Sequence, residues 1–449
     1  MPKTRDIDMI MEQLMKMNGA PCACGKKHEF RSEILSGQGV IRSLPDIVRR
    51  FGAKKPYLLS DVNTDHAAGE LVRRLLAEAE ISYSQFTFSE SWLEPDERTV
   101  GAALMHLPKD CDMIIAIGSG VLNDTAKMLS VHTKLPYVIV ATAPSMDGYA
   151  SMTSSMTMGG LKISLPSRCA DVILGDVDLL ASAPRKMLAA GVGDMLAKYV
   201  SICEWRIAAL VCGEYYCEEI ANLIRTALRE IVDSADQLLG GDPRAVSAVF
   251  DGLSAGSVAM NYAGLSRPAS GTEHYFSHVW DMRGAEFGDT VELHGIQCAI
   301  GTLLALRLYD KLKTVTPDRE RALAFAESFD VDAWNERLRA LLGTSAESMI
   351  ALEKKEGKYD VSKHRERLEI ILSRWDEIQA IISEELPSVE FVESLMKKLG
   401  LPTDVREIGI DPDLLPEVFR ATKDIRDKYV LSRLLWDLGI VDEFAKSLK

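Results

Sequence analysis

Three of the eight histidines in this 449-residue chain fall in one short region. It reads Ser270-Gly-Thr-Glu-His274-Tyr-Phe-Ser-His278 and, further on, Leu293-His294-Gly295. His274 and His278 stand at i and i+4, so a helix presents both imidazoles on one face. His294 opens the next helical pattern, where a loop can return its ring to that face. Upstream, Gly191-Val-Gly-Asp194-Met-Leu-Ala-Lys198 puts a carboxylate at the start of another helical pattern. Two imidazoles and one carboxylate, with positions left for substrate and water, suit a borderline divalent ion used as a Lewis acid. Zinc, nickel and ferrous iron all accept that donor set. A lone histidine is usually a packed or surface residue, but three flanked by glycines read as a metal site.

A second chemistry is written in Ile114-Ile-Ala-Ile-Gly118-Ser119-Gly120-Val-Leu-Asn123-Asp124-Thr-Ala-Lys127, a strand, a glycine turn and a helix start. Glycines let the backbone approach a ligand, and a helix N-terminus offers N–H groups to a phosphate. The third glycine of the dinucleotide fingerprint is missing, so taken alone the turn is equally a geometric connection. Ala141-Thr142-Ala-Pro-Ser145-Met-Asp147-Gly-Tyr-Ala-Ser151 is a hydroxyl-rich loop directly after another apolar run. In an open α/β sheet such loops gather at the carboxyl ends of the strands, where Thr142, Ser145 and Ser151 would meet phosphate or a nicotinamide amide. Asp61, after the apolar run Tyr57–Ser60, is placed to accept from an adenosine ribose and to repel a 2′-phosphate, which favours NAD over NADP. The same residue type at the same place also caps helices.

The elements that must position these residues alternate over residues 36–184. Tyr57–Ser60, Tyr83–Phe88, Met113–Ile117 and Tyr137–Ala141 read as strands, with helical patterns between them. Continuous apolar runs such as Met113–Ile117 belong to parallel strands covered on both faces. That rhythm predicts a Rossmann-like α/β domain with a parallel sheet. Leu161–Leu165 and Val172–Leu174 are expected to add a hairpin before the domain ends. After Pro184, helical patterns dominate at Lys186–Leu210, Glu214–Leu239 and Gly295–Leu312. The chain is therefore divided into an extension over 1–35, the α/β domain over 36–184, and an all-α domain over 185–449. From about residue 345 the last domain continues as an amphipathic helical extension, including Arg365–Trp375.

Charge and composition narrow the partners. Fifty-two Lys and Arg against 66 Asp and Glu give a net charge of −14, with no basic block. That argues against nucleic acid or an anionic membrane as partner, though not against a phosphorylated metabolite. No apolar run has the length of a bilayer span, and the N-terminal residues lack the apolar core of a secretory signal. Eight scattered cysteines fit a reducing compartment, so the cytoplasm is expected. Cys22-Ala-Cys24-Gly-Lys-Lys-His28 resembles half of a small zinc site. No second pair follows at finger-like spacing, and the segment is read as a structural turn.

Taken in order, these motifs are Gly-Ser-Gly-x-x-x-Asp-x-x-Lys, Thr-Ala-Pro-Ser-Met-Asp-Gly-x-Ala-Ser, Gly-x-Gly-Asp, Ser-Gly-x-Glu-His-x-x-Ser-His and His-Gly. Over residues 35–315 the chain resembles the glycerol-1-phosphate dehydrogenases, in particular their AraM-like branch. These belong to the iron-containing alcohol dehydrogenase and dehydroquinate synthase superfamily. The resemblance implies a dehydroquinate synthase-like fold and reversible reduction of dihydroxyacetone phosphate to sn-glycerol 1-phosphate by NAD(P)H, assisted by one divalent metal. It makes Asp194, His274 and His294 the metal ligands, and Asp194 and His278 the catalytic residues. His278 and Asp147 become substrate contacts and Ser151 a cofactor contact. Gly118, Ser119, Gly120, Asp124, Thr142 and Ser145 form the dinucleotide loops. Lys162 and Arg267 are candidate cations for the substrate phosphate. Members of this family are commonly homo-oligomers.

Two other chemistries use the same fold. A glycerol or polyol dehydrogenase would not need Lys162 and Arg267. A dehydroquinate-synthase-like lyase or cyclase typically carries glutamate at the first metal position, where this chain has Asp194.

Overall fold

The computed structural model describes residues 7–159 and 161–448, without the side chains of residues 7–9, 161 and 162. Eight strands are present among them: β1 Glu33–Gly37, β2 Pro56–Asp61, β3 Ser84–Phe88, β4 Met113–Gly118, β5 Tyr137–Ala141, β6 Thr153–Met158, β7 Leu161–Pro166 and β8 Val172–Asp176. Six of them form one sheet in the order β1-β8-β5-β4-β2-β3. Every pairing in that sheet is parallel. The apolar runs explain this arrangement, because β4, β5 and β8 are buried at every residue. Only a sheet covered on both faces hides both alternating sets of side chains. Leu58, Ile115, Val138, Val140 and Leu174 meet Ile47, Val48, Val72 and Leu76 from the crossover helices in one core.

The chain order reverses across β2 and β4, since β3 lies outside β2 on one side and β5 outside β4 on the other. Loops leaving the carboxyl ends of strands at such a reversal diverge and open a crevice. The ends of β2 and β4 are Asp61 and Gly118.

One sequence expectation is corrected here. The hairpin is β6 with β7, paired antiparallel from Thr153↔Pro166 to Met158↔Leu161. Val172–Leu174 instead enters the parallel sheet between β5 and β1. The physical reason is polarity. Thr153–Met158 alternates exposed and buried residues, as suits a half-solvated hairpin, whereas β8 is wholly buried.

The helices that matter for the site are α1 Ile7–Met17, α2 Gly120–Thr133, α3 Arg185–Cys212, α4 Glu218–Leu238, α5 Pro243–Ala263, α6 Thr272–Phe287 and α7 His294–Leu312. No strand follows Asp176 among the described residues. The chain forms two compact units, one of Met1–Met195 with Asn222–Gly264 and one of Leu196–Ala221 with Leu265–Lys449. Helices α4 and α5 thus join the sheet, chiefly through α4 from Asn222 onward and all of α5. Gly175 on β8 faces Phe250 of α5 so closely that a Cβ would lie 2.1 Å from the ring. Near the C-terminus, Arg365–Trp375 is not one helix: Val361–Ser373 ends before Trp375–Glu385 begins. No described helix is long and apolar enough to cross a membrane.

Candidate active site

In the first unit the two loops expected to hold a dinucleotide lie against each other. Thr142 N–H donates to Gly118 O at 3.1 Å, and Ser119 Oγ lies 3.0 Å from Ser145 Oγ. Ser119 is the N-cap residue of α2 but makes no side-chain cap. Its hydroxyl turns to Ser145, and α2 begins in the form in which helix N-termini receive phosphate. Thr142 and Ser145 are nearly buried.

Asp124 and Lys127 do different work. Lys127, fully buried, donates to Gly148 O at 2.8 Å and Thr153 O at 3.1 Å, and reaches Asp124 Oδ1 at 3.3 Å. Asp124 Oδ2 accepts from Ser155 N–H at 3.1 Å. The pair fastens the Ser151 loop and the β6–β7 hairpin to α2. Ser151 Oγ accepts from Thr153 N–H at 3.1 Å, a local turn that shapes the same loop. Asp61 caps the short turn after β2, its Oδ1 accepting from Asn63 N–H and Thr64 N–H at 2.8 Å each. The capping alternative is therefore what this residue displays.

Asp147 and Asp194 meet through the backbone. Asp147 N–H donates to Asp194 Oδ2 at 2.8 Å, and Asp194 is fully buried on α3. Two side chains of α5 hold the rest of this loop: Ser257 Oγ donates to Asp147 O, and Asn261 Nδ2 donates to Ala150 O at 2.6 Å. Helix α3 touches the neighbouring loop through Gly191, where a Cβ would stand 1.9 Å from Pro144 O. Only glycine allows that approach.

The second unit holds the histidines. His274 and His278 project from α6 and His294 from the first turn of α7. The rings of His274 and His294 are 5.1 Å apart, and that of His278 is 6.4 Å from each. Close packing of the two helices makes this possible, because Gly301 of α7 faces the Glu273 carbonyl with a Cβ site 2.4 Å away.

Each candidate ligand has a neighbour that orients it. His274 Nδ1 lies 2.9 Å from Glu273 Oε1, and His294 Nδ1 lies 3.2 Å from Ser277 Oγ. Both rings use Nδ1 on the protein, so Nε2 is the nitrogen that would meet a cation. Cys298 adds a donor that sequence reasoning missed. Its Sγ is 3.5 Å from His294 Nε2, and the donor atoms of His274, His294 and Cys298 lie within 4.8 Å of one another. The signal was present, since His294 and Cys298 are four apart at the start of one helix. Burial pushes the Cys298 thiol up, but the two imidazoles outweigh it and hold the thiol below its ordinary range. Two imidazoles and a thiol fit a borderline divalent ion.

Behind α6 lies a buried carboxylate pair. Glu204 accepts from Thr272 N–H at 2.9 Å, Thr272 Oγ1 at 2.6 Å and Leu431 N–H at 2.9 Å. Burial, then the charge of Glu273, pushes its carboxyl up to about 7.

Arg267 has partners within the second unit. It is 2% exposed, and its guanidinium holds Glu214 at 2.8 and 2.5 Å and Tyr429 O at 2.8 Å. The two side chains form a forked ion pair in which Arg267 is buried and Glu214 partly exposed. Lys162 pairs with Thr157 in the hairpin; its side chain lies outside the described residues.

A family model described as iron-containing alcohol dehydrogenase matches residues 35–184. A glycerol-1-phosphate dehydrogenase from Halalkalibacterium halodurans is 31% identical, over 66% of this chain and 75% of its own. The chain belongs to the glycerol-1-phosphate dehydrogenase family. Another member, from Geobacillus stearothermophilus, is 26% identical over 97% of this chain and 100% of its own, so the match runs on beyond residue 345. Among solved structures, an iron-containing alcohol dehydrogenase from Thermococcus thioreducens superposes with a TM-score of 0.60 at 16% identity. It covers 94% of this chain and 99% of that one, and shows the dehydroquinate synthase-like fold. The family is one of oxidoreductases that use NAD(P) and a divalent metal, which accords with the loops and donors described above.

Proposed function

We propose that this chain reduces dihydroxyacetone phosphate reversibly to sn-glycerol 1-phosphate, with NADH or NADPH as hydride donor. The observation that carries the reading is its relationship to proteins named glycerol-1-phosphate dehydrogenase across both units.

In this reading Asp194, His274 and His294 hold one divalent ion, with zinc, nickel or iron suited to the donors. Helix α3 is unbroken from Arg185 to Cys212, carrying Asp194 in the first unit and continuing into the second. The bound ion and nicotinamide supply Lewis acidity and hydride, respectively. The central carbonyl carbon of the substrate accepts the hydride, and its oxygen then needs one proton. His278, one turn beyond His274, delivers that proton. Asp147 contacts the substrate, its backbone held by Asp194 and Ser257. Gly118, Ser119, Gly120, Thr142, Ser145 and Ser151 receive the dinucleotide, with Asp124 fixing the loop. We further read the protein as a cytoplasmic homo-oligomer.

One observation favours a second reading. With Arg267 committed to Glu214, one of the two cations expected for the phosphate is withdrawn, as an unphosphorylated polyol substrate would permit. NADH oxidation by the purified chain, with dihydroxyacetone phosphate beside dihydroxyacetone and with zinc, nickel or chelator, separates the two. Turnover confined to the phosphorylated ketone and lost with chelator supports the first reading. Turnover of dihydroxyacetone alone replaces it with a polyol dehydrogenase.

A further inference from the structure

A second set of metal-type donors lies in the N-terminal segment, outside all the chemistry above. Cys22, Cys24 and His28 bring their sulfur and ring nitrogen atoms within 4.8 Å of one another, with Cys24 Sγ 3.5 Å from His28 Nε2. The backbone builds this knuckle. Cys22 N–H donates to Lys26 O at 3.2 Å, Gly25 N–H returns to Cys22 O at 3.0 Å, and Pro21 bridges Lys27 antiparallel.

A plain turn explains little of this. His28 is 1% exposed, although it sits in a short surface extension. Its Nδ1 lies 2.9 Å from Tyr262 O on α5. A carbonyl accepts only from a protonated ring nitrogen, so Nδ1 carries the hydrogen and Nε2 turns its lone pair toward the thiols. That is the arrangement of a metal-ligating histidine with its orienting partner. No disulfide joins Cys22 to Cys24.

Structural zinc takes four ligands in a tetrahedron. Cys22, Cys24 and His28 supply three of them from one short segment. We propose that Cys22, Cys24 and His28 hold a zinc ion in the N-terminal segment.

Its place in the fold gives it a task. Helix α1 packs on α5, and Tyr262 OH donates to Leu14 O at 2.9 Å while its carbonyl holds His28. The neighbouring Asn261 and Ser257 fasten the Asp147–Ala150 loop. Zinc at the knuckle ties the extension to the end of α5 that steadies this loop. It takes no part in hydride transfer. Binding releases the thiol protons to solvent and fixes the thiolates on the ion.

The test is the metal content of full-length protein dialysed with zinc and then freed of loosely bound ions. His274→Ala, which removes a ligand of the other centre, should retain about one zinc per chain. Adding Cys22→Ser or Cys24→Ser to it should abolish that zinc. No zinc in His274→Ala, or zinc unaffected by both serine changes, overturns the proposal. If the double variants do not accumulate, zinc-edge X-ray absorption of His274→Ala decides. Sulfur neighbours at about 2.3 Å, roughly two per imidazole nitrogen, are expected, and a shell of oxygen and nitrogen alone overturns the site. Because metal content is read without substrate, failure here leaves the dehydrogenase reading standing, and the reverse also holds.

Discussion

Glu273 and His274 are sequence neighbours whose side chains meet, Oε1 to Nδ1, at 2.9 Å. Glu273 Oε1 also accepts from Gly271 N–H at 2.7 Å, and the side chain is fully buried, which fixes that oxygen against the ring. An imidazole gripped through Nδ1 points Nε2 in one direction and binds a cation more strongly than a rotating ring. Glu273→Gln should therefore weaken metal binding by about tenfold to a hundredfold. Competition with a chromophoric chelator measures it, and unchanged affinity would remove Glu273 from the support of the metal.

Arg267→Ala separates a structural ion pair from a substrate contact. It leaves Glu214, 29% exposed, without its partner, and the expected loss of stability is about 1–3 kcal/mol. The KM for dihydroxyacetone phosphate should change by less than about twofold in the protein that remains folded. Denaturant unfolding and initial rates together give the answer. A large rise in KM at unchanged stability would restore Arg267 to the phosphate site.

Gly191→Ala opposes helix propensity to a close approach. In an exposed helix this change gains up to about 1 kcal/mol. Here the new methyl would stand 1.9 Å from Pro144 O, a backbone atom that cannot swing away. Overpacking should win, with a net loss of about 1–3 kcal/mol and weaker binding of the dinucleotide to the Thr142–Ser145 loop. Thermal unfolding with and without NAD would show both effects; a stabilised variant would contradict the contact.

Glu204 makes stability depend on pH in a fixed direction. Its carboxyl titrates near 4.5 when unprotected and near 7 in the folded chain, because it is buried beside Glu273. Between those values the folded state keeps a proton that the unfolded chain has lost. Its contribution is thus full below about pH 4.5 and disappears as pH rises through 7. Glu204→Gln should flatten the fall in melting temperature between pH 5 and 8 relative to the parent. An identical slope in both proteins would assign the dependence to other groups.

Much of this was legible in the residues because the chemistry is local in sequence. The strand runs at Tyr57–Ser60, Met113–Ile117 and Tyr137–Ala141 declare a covered parallel sheet, since no half-solvated strand tolerates such continuous apolarity. The spacing of His274 and His278 declares a shared helix face. The place of Val172–Leu174 is not legible, because a short apolar run does not state its partner. Pairing is decided by which neighbour offers two dry faces, and that is a property of the assembled sheet.

What the sequence alone determined was donor chemistry and period: which residues can ligate, accept or cap, and which face of an element they share. Tertiary structure decided which of those capacities are already engaged. Arg267 offered a cation by type, yet Glu214, 53 residues away in the chain, holds it in a buried fork. Cys298 is a small apolar side chain by type, and only the packing of α6 on α7 sets His274 and His294 against its sulfur. His28 looked like part of a turn until the carbonyl of Tyr262, 234 residues on, fixed its ring. Hydrogen bonds and ion pairs act over a few ångströms of space whatever the separation along the chain. Availability is therefore a fact of the fold, while capacity is a fact of the residue.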